Sequence, residues 1–120
     1  MPRARTLEDR QQAHQAVYAA FVARMASQHL GRARGIRCCD LAQSIGLPER
    51  TIRHLVSEAR EQGIAITGTP ETGYFVAETS EELEQTCQFL RNRAMHSLRL
   101  LSRLTKTPLQ ELMGQMRINA

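Results

Sequence analysis

A mainly α-helical fold carrying one small β-hairpin, with a long helix at each end, is predicted by three features of this sequence. Two short helical patterns meet at Gly46-Leu47-Pro48. Two short alternating runs come after them, joined by a glycine-bounded turn over residues 68–73. On either side, residues 7–29 and 80–104 carry apolar residues at helical spacing. The expected organisation is a flexible arm over 1–6, a core domain over 7–78 and a helical extension over 79–120.

A chain of 120 residues is one domain with an appended element, and 42% hydrophobic with 23% charged residues is ordinary for a soluble globular protein. No apolar stretch approaches the ~20 residues that cross a bilayer, and the N-terminus lacks the apolar core of a signal peptide. The expectation is therefore a cytoplasmic protein with no membrane partner. Three cysteines, two of them adjacent at Cys38-Cys39, do not make a secreted disulfide framework. The net charge of +4 suits an anionic partner, and its placement says more than its size. Arg32, Arg34 and Arg37 gather ahead of the two short helices, with Arg3 and Arg5 in the arm. Residues 36–63 balance four arginines against four carboxylates.

Thr6 is a plausible N-cap for the first long helix, with Glu8 and Asp9 suited to its positive end. Ala13, Ala16, Val17, Ala20, Phe21 and Met25 trace its apolar stripe, while Tyr18 and Val22 lie off centre, toward the C-terminal helix or a second subunit. His14, His29 and His96 read as surface or boundary residues. Gly31 and Gly35 bracket a basic loop that closes this helix, and Ile36-Arg37 predict a brief strand.

Leu41, Ala42 and Ile45 then share one face of a short helix that Gly46 can end in the left-handed conformation. Leu47 plugs the angle and Pro48 suits the first helical position. The helix from Pro48 to Gln62 repeats Ile52, Leu55, Val56 and Ala59 at i, i+3, i+4 and i+7. The pair makes a helix-turn-helix. At about 100° per residue, Arg50, Arg53, His54, Ser57 and Glu61 fall opposite that stripe. Arginine can fork onto the O6 and N7 edge of guanine, and serine or histidine can contact bases or phosphates. The same charges also suit a solvated helix face, so the hinge before them and the hairpin after them decide the reading.

After Gly63, Ile64 and Ile66 alternate with Ala65 and Thr67, and Tyr74-Phe75-Val76-Ala77 returns beyond the turn. The tip carries one charge, Glu71. Thr69 and Thr72 are the remaining candidates there to donate to phosphates.

From Gly35-Ile36-Arg37 through Gly46-Leu47-Pro48 to Ile64-Ala65-Ile66 and Thr72-Gly73-Tyr74-Phe75-Val76, the chain resembles a winged helix-turn-helix. It is most similar to the N-terminal DNA-binding domain of biotin operon repressors and to small stand-alone relatives of bacterial and prophage genomes. The similarity covers about residues 17–78. It implies a hairpin wing and a second helix that reads DNA. Wings of such relatives often carry lysine or arginine, and Glu71 departs from that pattern.

The second long helix opens with a capping box of Thr79 and Glu82. Leu83, Cys87, Leu90, Ala94, Ser97, Leu101 and Leu104 are spaced 4, 3, 4, 3, 4, 3, a coiled-coil-like seam with one polar defect at Ser97. Such a helix either packs back on the first helix or pairs with a copy of itself, and a homodimer through Leu83, Cys87, Leu90, Ala94, Leu101 and Leu104 is expected. Thr107-Pro108-Leu109-Gln110 starts a last short helix, capped by Thr107, whose face is Leu109, Leu112, Met113 and Met116.

Enzyme readings are weak. No phosphate-cradling glycine motif is present, and no Cys-x-x-Cys or His-x-x-x-His spacing supports zinc. Cys38 and Cys39 begin a short helix, where a redox pair is conceivable. No catalytic residue, metal or cofactor is expected. The leading expectation is a sequence-specific double-stranded DNA-binding protein, a small transcriptional regulator of bacterial or prophage origin. Arg50, Arg53, His54 and Ser57 would reach the groove, and Arg32, Arg34 and Arg37 would hold the backbone. The rival is a protein-contact module of the same fold that binds and redirects a host or phage protein.

Overall fold

The structure, a computed structural model, describes residue 4 and residues 6–119, of which 118 and 119 are described by backbone alone. Of the arm expected over 1–6, Arg3 and Arg5 lie outside the described residues. The chain forms two compact units, one ending at Leu83 and the other beginning at Glu84. The fold is mainly α-helical with one hairpin, a winged helix-turn-helix with long helices on either side. In chain order it comprises α1 (Leu7–Gln28), a 3-10 turn (Arg32–Arg34), α2 (Cys38–Ile45) and α3 (Glu49–Glu61). Strands β1 (Ile66–Thr69) and β2 (Gly73–Val76) come next, then α4 (Ser80–Thr105) and α5 (Leu109–Asn119).

A reciprocal cap starts α1. The Asp9 amide donates to the Thr6 hydroxyl at 3.1 Å, and the Thr6 amide donates to the Asp9 carboxylate at 2.9 Å. Two of the helix's orphan donors are met this way. The buried face of α1 differs from the expected stripe. Phe21 and Met25 are buried, Tyr18 and Val22 pack against the same core, and Ala13, Ala16, Val17 and Ala20 are exposed. The reason is area: burying tyrosine and valine removes far more apolar surface from water than burying alanine. The core-facing line is therefore Tyr18, Phe21, Val22, Met25 and His29.

His29, expected at the boundary, is buried. Its Nδ1 lies 2.9 Å from the Arg34 carbonyl, and its Nε2 accepts from Arg24 Nε at 3.4 Å. With the proton on Nδ1 both contacts are satisfied, so this histidine closes the loop after α1.

Gly46 ends α2 at φ 82°, and its amide and that of Leu47 both reach the Ala42 carbonyl. That left-handed residue turns the chain sharply enough for Leu47 to pack on the core. Pro48 stands one position earlier than expected, as the N-cap of α3, with its carbonyl accepting from Ile52. Ile52, Leu55, Val56 and Ala59 are buried with Leu41 and Ile66, which fixes which face of α3 turns outward.

The hairpin pairs Ile66 with Val76 and Thr69 with Gly73, so both strands sit nearer the tip than the alternation suggests. Strand β2 is bonded along its other edge as well. Ile36 and Tyr74 exchange both backbone bonds, at 2.9 and 2.7 Å, and Val76 bonds His29 and Gly31. The strand expected at Ile36-Arg37 is thus a single bridge. Arg60 Nε donates to the Ile66 carbonyl at 2.7 Å and ties α3 to the hairpin.

The Thr79 hydroxyl accepts from the Glu82 amide at 3.1 Å at the start of α4. The Glu82 carboxylate accepts from the amides of Glu78 and Arg32, which holds it below the usual carboxylate range. In the unit from Glu84 onward, Ser102 and Thr107 bond reciprocally across the turn between α4 and α5, and Leu112 is buried. Thr107, expected to cap α5, turns its hydroxyl to the Thr105 carbonyl at 3.4 Å. No helix is long and apolar enough to cross a membrane among the described residues.

Candidate nucleic-acid interface

Because four apolar side chains of α3 face the core, its opposite side is an exposed ridge. Arg50, Arg53, His54 and Ser57 are all exposed there. The helix has 13 residues, which makes it about 20 Å long at 1.5 Å per residue. A hollow lies along each flank of the ridge. Toward the wing, a cleft of about 420 Å³ is lined by Arg37, Cys38, Glu49, Arg53, Thr69 and Tyr74, among others. Toward α1, a second hollow of about 520 Å³ is lined by His14, Thr51, His54, Ser57, Glu58 and Glu61. The two flanks differ chemically: Arg37 and Arg53 outnumber the one carboxylate, Glu49, on the wing side, while two carboxylates and two histidines line the α1 side.

Arg53 lies 3.7 Å from Glu49, one turn earlier on the helix. Both side chains are exposed, so the pair is worth only about 0.3–0.5 kcal/mol. A phosphate or a guanine edge can displace it at little cost. His14 Nε2 lies 2.8 Å from the Glu58 carboxylate, which fastens α1 to the flank of α3. The pair sets the wall of the second hollow.

The residues around the start of α2 divide. Arg37 is exposed, stands as the N-cap of α2 and lines the wing-side cleft beside Arg53. Arg32 does not join them. Its guanidinium sits 6.0 Å from the centre of the Phe75 ring, at the outer limit of a cation–π contact. Phe75 alternates with Tyr74 and Val76, which pack on the core, so its ring occupies the other face of the hairpin. Arg34 is exposed on the 3-10 turn and lines neither hollow.

At the wing tip the Thr69 and Thr72 hydroxyls lie 2.9 Å apart, and each accepts from the other residue's amide. Thr72 also donates to the Gly73 carbonyl. These hydroxyls close the turn, so the donors left for a ligand at the wing are not the threonine side chains. Burial pushes the Cys38 thiol up from its ordinary value, with Arg53 opposing more weakly. That is the reverse of an activated thiolate. No group of three or more His, Cys, Asp or Glu side chains is placed to hold a metal ion among the described residues.

Sequence reasoning misses three neighbours of this surface. Glu49 is legible from its i, i+4 spacing to Arg53. His14 and Tyr74 reach the site only through folding, and nothing local announces them.

Comparison with known protein families and with curated proteins finds no match. Among solved structures, a GntR family transcriptional regulator from Listeria monocytogenes is similar at 13% identity, covering 98% of this chain and 97% of that one, with a TM-score of 0.39.

Proposed function

We propose that this chain binds double-stranded DNA with α3 in the major groove and acts as a small cytoplasmic transcriptional regulator of the kind carried by bacterial and prophage genomes. The observation that carries the reading is the outward ridge of α3. It presents Arg50, Arg53, His54 and Ser57 to solvent, on the side of the helix away from the core. A helix about 10–12 Å across matches a major groove about 12 Å wide. From Arg50 to Ser57 the ridge spans roughly 10 Å, the rise of about three base pairs.

In this reading Arg50 and Arg53 reach base edges, His54 and Ser57 assist, and Arg37 grips a phosphate beside the wing-side cleft. Arg32, held over Phe75, leaves the backbone-contacting set, and so do the Thr69 and Thr72 hydroxyls, which close the wing turn. The exposed leucines of α4 support a second half of the proposal, a homodimer that would read a palindrome.

The test is a titration on random-sequence duplex at two salt concentrations. DNA binding predicts affinity that falls steeply with salt as counterions are released. Salt-independent or absent binding would favour the protein-contact module, which the acidic wing tip at Glu71 and the balanced charge of residues 36–63 otherwise suit.

A further inference from the structure

The α4 helix carries a long apolar line that is open to solvent. Leu83, Leu90 and Leu101 are each between two-fifths and half exposed, and Leu104 is 82% exposed. These are seam residues, set at alternating spacings of three and four. Phe89 and Leu100 are exposed beside them. An apolar line of this length, interrupted at Ser97, is unusual on a monomer and marks an interaction face.

The charge along the helix decides what the face fits. Residues 80–92 hold Glu81, Glu82 and Glu84 against Arg91, a net charge of −2. Residues 93–106 hold Arg93, Arg99, Arg103 and Lys106 with no acid, a net charge of +4. The ion pair of Arg91 with Glu84, at 2.9 Å, lies wholly in the first half and leaves this polarity intact. The helix dipole adds to the problem a parallel pair would face, because like ends would then stand together. Two parallel copies would set acid on acid and base on base across about 8–10 Å, within a Debye length. Two antiparallel copies set the acidic end of each against the basic end of the other.

We propose that α4 pairs with α4 of a second copy in antiparallel orientation, with Ala94 near the two-fold axis and Leu83 of one copy beside Leu104 of the other. This rests on the homodimer half of the proposed function and is independent of DNA binding. Antiparallel pairing is the arrangement in which one sequence complements itself both along the seam and in charge.

Two measurements on the full chain test it. In sedimentation equilibrium the parent is a dimer. Glu81→Lys with Glu84→Lys turns the first half from −2 to +2, and Arg93→Glu, Arg99→Glu, Arg103→Glu and Lys106→Glu together turn the second from +4 to −4. Either set raises the dissociation constant about tenfold or more, and combining the two sets restores it to within about threefold. Circular dichroism confirms that each variant stays helical. A parallel dimer would be indifferent to every one of these changes, because each end meets only its own like. Second, a spin label at Leu104→Cys, with Cys38, Cys39 and Cys87 replaced by serine, reports the distance between copies. Antiparallel pairing places the two labels about 31 Å apart at 1.5 Å per residue. A dimer with labels about 10 Å apart, or affinities unmoved by charge reversal, overturns the orientation while leaving the dimer. A monomer throughout overturns both.

Discussion

Replacing Gly73 by alanine tests how the wing is fixed beside α3. Gly73 has φ 72°, a left-handed conformation that costs an L-residue about 1–2 kcal/mol. A methyl group there would also run into the Ile36 carbonyl and the Arg37 amide nitrogen, all of it backbone that cannot rotate away. Relief requires separating the two backbone segments, which breaks the Ile36–Tyr74 exchange of two hydrogen bonds, each worth about 1 kcal/mol net. The expected loss is about 3–4 kcal/mol, a large share of the roughly 5–15 kcal/mol that holds a typical domain together. Gly46 provides the control. Its φ is 82°, yet a methyl group there would meet open space, so Gly46→Ala should cost only the conformational term, about 1–2 kcal/mol. Urea denaturation of both variants gives the comparison directly. Equal losses would show that the close approach of β2 to the Ile36–Arg37 backbone does not hold the wing.

The same contacts set further expectations. Ile52→Ala, in a fully buried position on the core face of α3, should destabilise by roughly 2–5 kcal/mol in the same assay. The Glu82 carboxylate is held below its usual range by two backbone amides, so its contribution is present above the unfolded carboxylate range and is lost as pH falls through the folded value. Glu82→Gln should therefore flatten the acid limb of the stability profile, and an acid limb identical to the parent's would contradict that placement. Exposed Cys39 should react with a thiol reagent before half-buried Cys38, whose burial raises its pKa, and equal rates would contradict that partial burial.

The parts of this molecule legible from the chain are those whose logic is local. The hinge at Gly46-Leu47-Pro48 and the buried line Ile52, Leu55, Val56 and Ala59 come from spacing within a few residues, and so does the outward direction of Arg50 and Arg53. Periodicity misplaces the face of α1 because it counts alanine as apolar without weighing its area. Tyr18 and Val22 have more surface to bury, and they turn the helix toward themselves. Long-range contacts are out of its reach. Arg32 looks like any other arginine of a basic loop until Phe75 is placed beneath it, and His14 is 44 residues from the Glu58 it meets. The threonine pair at the wing tip carries a signal that points to the turn rather than to a ligand. Two threonines flanking a Pro-Glu turn can bond each other, and here they do.

The most direct test of the central claim is selection of bound duplexes from a random DNA pool, then titration of the selected sequence with Arg50→Ala and Arg53→Ala. Both side chains are exposed on α3, so neither change should disturb the fold. Each should weaken specific binding by about 1–3 kcal/mol if it forks onto a base, with discrimination lost at the positions it reads. A selected sequence bound equally well by the parent and both variants would contradict the proposal that α3 enters the groove.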